Sequence, residues 1–290
     1  MLDPLTGEPA ELLFWAKDNR GKAGKFPYYR GASGHVFIGE VPENLGDYYE
    51  AGYQPIPQTE AELAAMATPE AYRLDLIRHL VPLGDFLEIG PWIGLTAYNA
   101  LKAGYWVHTL ERDQRCVDLM NRVGIKAVQT DDPADQLRQW DMNYDVIAMW
   151  HSIEHLPRPW EVIDAAAKRL NPGGVLLIAG PNPESAQFRV LGKNWLHLDA
   201  PRHLHFLPAS TIEEIGRANG LETVERTTDD QLGQILDRDA WVWETHRMVR
   251  RTPIVRAIAN RLLSRRLARK HRQPGAFDGA GYTVAMMRPV

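Results

Sequence analysis

Between residues 85 and 179, short apolar segments alternate with amphipathic ones, and this alternation constrains the fold more than any other feature of the sequence. The apolar segments predict strands over 85–89, 105–110, 125–129, 144–149 and 175–179. The amphipathic segments predict helices over 95–103, 114–123 and about 160–170. Strands that are apolar along their whole length and are joined by helices indicate a parallel sheet covered on both faces.

The flanking sequence extends this sheet. Two further helices are predicted over 60–80 and 210–219, and a sixth and a seventh strand over 221–226 and 282–287. The N-terminal residues are rich in Gly, Pro and Tyr, and they predict an irregular extension with one hairpin around 31–40. We therefore expect an α/β fold with a seven-stranded, mostly parallel sheet, divided into an extension over 1–57, a core over 58–235, a basic helical insertion over 236–273 and a final strand within 274–290.

Length and composition exclude several classes of protein. The 290 residues suffice for one α/β domain with extensions. No apolar run approaches the roughly 18 residues of a membrane-spanning helix, and the first residues lack the basic and apolar regions of a signal peptide. Cys116 is the only cysteine, which excludes an intrachain disulfide and a zinc site built from several thiolates. From these three features we expect a cytoplasmic protein, and the net charge of −4 argues against binding to nucleic acid.

The turn after the first core strand, EIGPWIG at 88–94, lies where an open α/β sheet binds its ligands, outside the carboxyl ends of the strands. Gly90 allows a sharp turn, and Gly94 allows a ligand to approach the backbone at the start of the next helix. Glu111 ends the second strand, where its carboxylate can accept two hydrogen bonds from a ribose diol. The turn therefore predicts a nucleoside site, although a glycine turn that binds no ligand stays open.

The spacing of the glycines distinguishes between two nucleoside ligands. A dinucleotide fingerprint needs glycines two and five positions after the first glycine, and Trp92 and Leu95 stand there. The indole of Trp92 would crowd a pyrophosphate, which S-adenosylmethionine (SAM) does not have. The turn thus favours SAM over a nicotinamide dinucleotide.

Three segments carry a specific resemblance: WHSIEH at 150–155, LNPGG at 170–174 and WLHLDAPRHLHF at 195–206. Together with the turn, they make the stretch from 86 to about 225 resemble the class I SAM-dependent methyltransferases. The closest branch modifies small molecules and glycans and has a Trp-His-x-x-Glu-His segment after strand four. The resemblance implies a Rossmann-like fold and SAM as the cofactor. It also expects a third glycine in the first turn, where this chain has Trp92.

The resemblance implies a role for each residue of the cofactor site. Gly90 and Gly94 would border the methionine part of SAM, with Glu88 supporting that site, and Glu111 would hold the ribose hydroxyls. Asp131 would face the adenine amino group, with Asp132 as the near alternative. Two residues, Trp150 and His151, would line the cofactor beside the transferable methyl group.

Methyl transfer to a hydroxyl or an ammonium needs a base, and histidine suits that role near neutral pH. The candidates are His203, His205, His151 and His197, each of which could instead be a hydrogen-bonded loop residue. Asp199 could orient one of them. Arg202 and Lys193 could bind an anionic acceptor, or they could be solvated charges.

The segment from His151 to His155 also matches a His-x-x-Glu-His zinc pattern, which requires both histidines on one face of a continuous helix. Here the pattern directly follows a strand, and Pro157 interrupts it. We therefore expect no metal site, and Glu154 with His155 could instead cap the next helix.

Both ends of the chain offer interaction surfaces. Residues 238–272 contain eleven Lys and Arg against two acids, and 252–272 predict a basic amphipathic helix. This helix could contact an anionic membrane surface on its cytoplasmic side, its own core or a second copy in a homodimer. Near the other end, Tyr48, Tyr49 and Tyr53 could form a lid or simply pack.

We expect a methyltransferase that acts at oxygen on a small molecule, a sugar or a lipid-linked glycan. A catalytically silent SAM-domain partner protein is the alternative, and a nicotinamide-dependent oxidoreductase is less favoured.

Overall fold

The computed structural model describes residues 1–49, 55–228 and 277–290, together with 231, 234, 235, 237, 238, 241, 242, 266, 270 and 271. The described chain divides into two compact units. The N-terminal unit comprises Met1–Tyr49, Gly180–Thr211 and Arg226–Thr283. The sheet unit comprises Glu50–Ala179, Ile212–Glu225 and Val284–Val290. The chain passes from the first strands of one unit into the other and back, so each unit is built from segments distant in sequence.

The described residues form strands β1 (Glu11–Ala16), β2 (Phe26–Arg30), β3 (Val36–Ile38), β4 (Asp85–Ile89), β5 (Trp106–Glu111), β6 (Lys126–Gln129), β7 (Tyr144–Trp150), β8 (Leu170–Pro181), β9 (His205–Phe206), β10 (Glu222–Thr227) and β11 (Gly281–Met287). Their α-helices are α1 (Glu60–Ala67), α2 (Ala71–Leu80), α3 (Leu95–Lys102), α4 (Gln114–Arg122), α5 (Pro133–Gln139), α6 (Pro159–Lys168), α7 (Ala186–Leu191) and α8 (Ala209–Ala218).

Seven strands form one sheet in the order β10-β11-β8-β7-β4-β5-β6. Strand β4 lies at its centre and pairs in parallel with both β5 and β7. Strands β5 and β6, and β7 and β8, are parallel as well. The predicted α/β class with a seven-stranded, mostly parallel sheet is confirmed. Because β4, β5 and β7 are adjacent and parallel, the loops that follow them leave the same edge of the sheet.

The core of the sheet unit explains why the apolar strands were recognisable. Phe86, Val146 and Val175 from three strands pack in one cluster with residues of the covering helices, such as Ala97 and Met120. All are almost fully buried, and burying one large apolar side chain contributes about 1.5–3 kcal/mol. The alternation of strands and helices thus follows from a sheet that is buried on both faces.

Two predicted elements differ from the structure. The helix expected over 60–80 is two helices, because Pro69 in the 3-10 turn Thr68–Glu70 cannot donate a backbone hydrogen bond to continue α1. Helix α1 begins at a capping box in which the Thr59 side chain accepts from the Glu62 amide. The turn expected at 171–174 lies within the twelve-residue strand β8, whose pairing with β7 is irregular near Tyr144.

The N-terminal unit contains a second sheet that the sequence did not predict beyond one hairpin. Strands β1, β2, β3 and β9 form it in that order, and all three pairs are antiparallel. Its core includes Tyr28, Val36, Phe188, Trp195 and Phe206. The expectation of an irregular extension was therefore wrong, since β3 pairs with β9 and this partner lies far along the chain.

The predicted basic helix over 252–272 lies outside the described residues, apart from 266 and 270–271, and so does Tyr53. Among the residues that the structure describes, no helix is long and apolar enough to cross a membrane.

Candidate cofactor site and candidate histidines

The loop between β4 and α3 has an unusual backbone, because three of its residues have positive φ angles. Gly90 has φ +67°, Trp92 has φ +54° and Gly94 has φ +75°. A positive φ costs an ordinary residue roughly 1–2 kcal/mol, and such strain is concentrated at functional sites. Trp92 occupies the position where the family resemblance expects a glycine, and its backbone takes a conformation that glycine favours.

The two glycines of the loop are required by their neighbours. A Cβ atom on Gly90 would lie 2.7 Å from the Cβ of Ser152, and one on Gly94 would lie 2.6 Å from the sulfur of Met120. Ser152 is buried and donates a hydrogen bond from its hydroxyl to the Ile89 carbonyl (2.8 Å). The loop after β4 is therefore held against the loop after β7, and a side chain at Gly90 would force the two loops apart, whereas one at Gly94 would press on Met120 of α4.

Gly90→Ala is expected to lower the free energy of unfolding by about 2–3 kcal/mol, because it adds both the cost of a positive φ and the contact with Ser152. Gly220→Ala is the matched control, since Gly220 has φ +78° in the same unit and no atom within 4 Å of an added Cβ. Urea unfolding measures both variants. Equal losses would show that the contact with Ser152 contributes nothing.

The carboxylate of Glu111, at the end of β5, accepts a hydrogen bond from the same loop. Its Oε2 accepts a hydrogen bond from the Trp92 amide (2.9 Å), and its Oε1 accepts from the amides of Arg112 (2.7 Å) and Asp113 (2.9 Å). Burial raises the pKa of the Glu111 carboxyl, and the three amides oppose that rise. A carboxylate has about four acceptor positions, so one position on Oε2 remains for a ligand hydroxyl.

Glu88, on β4, is a buried carboxyl at the base of the site. Its Oε2 accepts from the Ala97 amide in α3 (2.8 Å), and the side chain is almost fully buried. Burial raises the pKa of Glu88 to about 8, although the Arg73 guanidinium attracts the charged form. Arg73 itself is buried, pairs with Glu70 (3.2 Å) and lies over the Trp150 ring. The sequence did not single out Arg73.

The two candidate adenine carboxylates differ in their surroundings. Asp131 is exposed and pairs with Arg112 (Nε to Oδ1, 3.0 Å). Asp132 is the N-cap of α5, where its Oδ1 accepts from the Asp135 amide, and its Oδ2 pairs with Arg158 (2.8 Å). The side chain of Asp132 is therefore engaged in capping, which leaves Asp131 as the more available group.

The segment after β7 positions Trp150 and His151. Trp150 is buried, and its Nε1 has no hydrogen-bond partner in the described structure. His151 has φ +50°, and its Nδ1 lies 3.8 Å from Oε1 of the buried Glu154. This part of the chain forms a 3-10 turn, Ile153–His155, so the zinc pattern is not on a continuous helix, as the sequence predicted. The side chain of Arg158, the N-cap residue of α6, makes no capping hydrogen bond, and the capping role considered for Glu154 and His155 stays a prediction.

The other three candidate histidines lie in the N-terminal unit. The Nδ1 of His203 lies 2.6 Å from the backbone carbonyl of His197, whose own ring is buried against Trp195. His205 is buried in β9, and its Nδ1 lies 3.1 Å from Nε2 of His35. The sequence missed His35 because it is a single histidine about 170 residues away.

Arg202 does not serve as a surface anion site. It is 1% exposed and donates to Asp18 (2.7 Å) and to both oxygens of Asp199 (2.9 and 2.7 Å). Burial alone would raise the pKa of Asp199, but the hydrogen bonds from Arg202 hold it well below its usual range. The roles suggested for Arg202 as an anion-binding or solvated residue were therefore wrong. Tyr48 packs on Phe26, and Tyr49 donates to the Arg202 carbonyl (3.2 Å).

Comparison with known proteins places the chain in a family. A family model described as a methyltransferase domain matches residues 63–226, more than half of the chain. The chain belongs to this methyltransferase-domain family. The resemblance drawn from the three sequence segments is confirmed at this level, and the matched residues include the loop after β4, Glu111 and the segment after β7.

Individual relatives are more distant. A ubiquinone biosynthesis O-methyltransferase from Marinobacter nauticus is 33% identical over 90 residues, which are 29% of this chain and 38% of that protein. Another, from Xylella fastidiosa, is 28% identical over 142 residues, which are 46% and 58% of the two chains. The chain thus spans between about two fifths and three fifths of these relatives.

Among solved structures, a SAM-dependent methyltransferase from Archaeoglobus fulgidus aligns with a TM-score of 0.52 and 16% identity. The alignment covers 77% of this chain and 94% of that one. At this identity the likeness establishes the fold alone.

Proposed function

We propose that the chain is a SAM-dependent methyltransferase that transfers a methyl group to an oxygen atom of a small-molecule acceptor. The main support for this proposal is the hydrogen bond from the Trp92 amide, in the loop after β4, to the Glu111 carboxylate, in a chain of the methyltransferase-domain family. The curated relatives named above are O-methyltransferases of ubiquinone biosynthesis, which supports oxygen as the methylated atom.

The residues around the loop suit SAM better than a dinucleotide. Glu111 keeps one acceptor position on Oε2 for a ribose hydroxyl. The Nε1 of Trp150 is a buried donor without a partner in the described structure, and it would suit a ligand acceptor. Trp92 packs against the hydrophobic cluster of the sheet unit, and no glycine stands in its place to admit a pyrophosphate.

In this proposal, each group has one task. SAM supplies a methyl group on a positively charged sulfur. Glu111 holds the ribose, and Glu88 supports the methionine end beside Gly90 and Gly94. A histidine accepts the proton of the acceptor hydroxyl, with His151, His197, His203 and His205 as the candidates. Alignment of the acceptor supplies much of the rate, because methyl transfer is an in-line displacement.

Ligand binding and turnover test the proposal separately. SAM and S-adenosylhomocysteine are expected to raise the midpoint of thermal unfolding, and NAD is not, since a ligand of the native state stabilises it. Incubation with methyl-labelled SAM and a panel of phenols, sugars and lipid-linked glycans is expected to label one product. Binding without turnover on any acceptor would favour the silent partner protein.

Asp131→Ala is expected to weaken SAM binding by about fivefold to tenfold, which corresponds to one hydrogen bond to the adenine amino group. The exposed ion pair with Arg112 contributes little by itself. Arg112→Ala is therefore the control, because it removes the same ion pair and leaves the carboxylate. Calorimetric titration with SAM measures both. If the two variants bind SAM as tightly as the wild type, Asp131 does not contact adenine.

The acceptor could also reach the enzyme from a membrane surface. The excess of Lys and Arg in 238–272 supports contact with anionic lipid. Co-sedimentation with vesicles that contain anionic phospholipid, at low salt, tests this contact. If the protein does not bind these vesicles, the proposed membrane contact is wrong.

A further inference from the structure

The loop that joins β1 to β2 borders a cavity in the N-terminal unit. The cavity has a volume of about 470 Å³ and opens to solvent, since most of the residues that line it are exposed. Small-molecule sites have volumes of roughly 300–1,000 Å³. The lining residues are Lys17, Asp18, Gly21, Lys22, Ala23, Gly24 and Lys25. Three positively charged side chains and one carboxyl group thus surround a space that can hold a small ligand.

The carboxylate of Asp18 does not neutralise these lysines, because its charge is balanced in the interior. The side chain is fully buried, and it accepts hydrogen bonds from Nη2 of Arg202 (2.7 Å) and from the Lys22 amide (2.8 Å). Arg202 also pairs with Asp199 (2.7 Å), whose carboxylate lies 3.9 Å from Nε of Arg20. Two carboxylates and two guanidinium groups therefore balance one another in this cluster. The charges of the three lysines remain, so the lining of the cavity is positively charged.

The position of Lys22 is fixed by contacts within the N-terminal unit. Its Nζ donates a hydrogen bond to the backbone carbonyl of Asp47 and lies 5.4 Å from the centroid of the Tyr48 ring. The Tyr48 hydroxyl donates to a backbone carbonyl of the loop (3.3 Å). Gly24 has φ +143°, and a Cβ atom there would lie 2.8 Å from the Phe26 ring. The loop thus has a defined conformation before any ligand binds, which lowers the cost of binding.

The other two lysines are available to a ligand. Lys17 and Lys25 are exposed, and neither has a hydrogen-bond or ion-pair partner among the residues that the structure describes. Their ammonium groups can therefore turn toward an anion without breaking an existing contact. Because a concave surface lined by charges of one sign concentrates the electric field, an anion is attracted more strongly there than on a flat surface.

We propose that this cavity binds the phosphate groups of a small ligand, as a phosphate monoester or a diphosphate ester. Lysine binds phosphate as a compact point charge, and three lysines match an anion with two or three charges better than they match a single carboxylate. The concave shape suits a small ligand rather than an extended peptide. The site goes beyond methyl transfer and does not depend on the SAM site, because all of its residues belong to the N-terminal unit.

Calorimetric titration with sodium pyrophosphate at low salt, without SAM, tests this site. We expect saturable binding that weakens as salt is added, because salt screens exposed charges. The double variant Lys17→Gln/Lys25→Gln is expected to raise the Kd about tenfold, since each exposed charge contact contributes about a factor of three. Both side chains are exposed, so the variant is expected to fold like the wild type.

Lys126→Gln/Lys168→Gln is the matched control, because it removes two exposed lysine charges from the sheet unit and changes the net charge equally. This variant is expected to change the Kd by less than about twofold. If the control weakens pyrophosphate binding as much as the loss of Lys17 and Lys25 does, the binding reflects overall charge and the proposal is wrong. The absence of saturable binding to the wild type would overturn it as well.

Labelling with an amine-reactive reagent, followed by mass spectrometry, locates the bound anion. Pyrophosphate is expected to protect Lys17, Lys22 and Lys25, but not Lys126 or Lys168. Acetate at the same concentration is expected to protect none of them, and equal protection by acetate would show that the cavity does not select phosphate. Displacement of pyrophosphate by a nucleoside diphosphate sugar would identify a soluble ligand. Displacement by vesicles that contain phosphatidic acid would identify a lipid, and both results support the phosphate site.

Discussion

The free energy of unfolding is expected to fall as pH rises from about 4.5 to about 8, and the Glu88 carboxyl is the expected cause. In the folded protein this buried group keeps its proton up to about pH 8, because burial outweighs the attraction of Arg73. In the unfolded chain it releases the proton near its ordinary pKa of 4.5. The folded state therefore binds more protons over this interval, and linkage requires stability to decline as pH rises.

The full shift corresponds to at most about 5 kcal/mol, since one pKa unit corresponds to about 1.4 kcal/mol. Glu88→Gln isolates this contribution, because the amide keeps an oxygen for the Ala97 amide but does not titrate. Urea unfolding of both proteins at intervals from pH 5 to pH 9 gives the difference in stability. The difference should change steadily up to about pH 8 and then level off. A difference that stays constant across the range would show that Glu88 is ionised throughout in the folded protein.

The sheet unit could be predicted well from the sequence because each of its strands and helices is recognisable from the residues of its own segment. Most strands from β4 to β8 have an apolar segment along the chain, and each helix has its own periodic pattern, so neither depends on a distant partner. Glu111 was recognisable for the same reason, since its place at the end of β5 follows from the length of that strand. Pro69, which separates α1 from α2, is also a local signal, but the prediction gave more weight to the apolar stripe over 60–80 and treated the segment as one helix.

The N-terminal unit could not be predicted because its structure depends on distant pairs. Strand β3 is only three residues long and is completed by β9, which follows about 170 residues later. The buried ion pairs of Arg202 with Asp18, and the hydrogen bond between His35 and His205, join residues just as far apart. No pattern within either segment indicates its partner. From the sequence, Arg202 in a polar loop was interpreted as solvated, because the carboxylates that surround it in the fold could not be identified.

The same difference applies to the candidate site. The family resemblance indicated which residues of the sheet unit to inspect, but it did not indicate what each one does for the fold. Gly94 was expected to let a ligand approach the backbone, which stays a prediction; the structure adds that a Cβ there would lie 2.6 Å from the sulfur of Met120, so packing also requires a glycine. Trp92, the departure from the family pattern, keeps the positive φ of a glycine and is held by Glu111. The backbone at this position thus takes a conformation that glycine favours although the residue is a tryptophan.

Glu111→Ala is expected to weaken SAM binding by at least about 100-fold, or about 3 kcal/mol, because two losses coincide. The ribose would lose its acceptor, and the amides of Trp92, Arg112 and Asp113 would lose theirs. Hydrogen bonds to a charged group contribute about 1.5–3 kcal/mol each. Without the carboxylate, Trp92 has less to hold it at its positive φ, so the loop after β4 is expected to relax as well.

Calorimetric titration with SAM measures the loss, and two further variants separate its causes. Glu111→Gln keeps one oxygen but turns an amide nitrogen toward backbone donors, so an intermediate affinity is expected. Asp113→Ala removes a neighbouring carboxylate that caps α4 through the Arg115 amide, and it should change the affinity by less than about threefold, because such a cap contributes about 1 kcal/mol to folding. If Glu111→Ala is folded by circular dichroism and binds SAM as tightly as the wild type, the ribose does not rest on this carboxylate. The cofactor site must then be sought elsewhere, because the other link between this loop and β5, from the Gly90 amide to the Leu110 carbonyl, provides no side chain for a ribose.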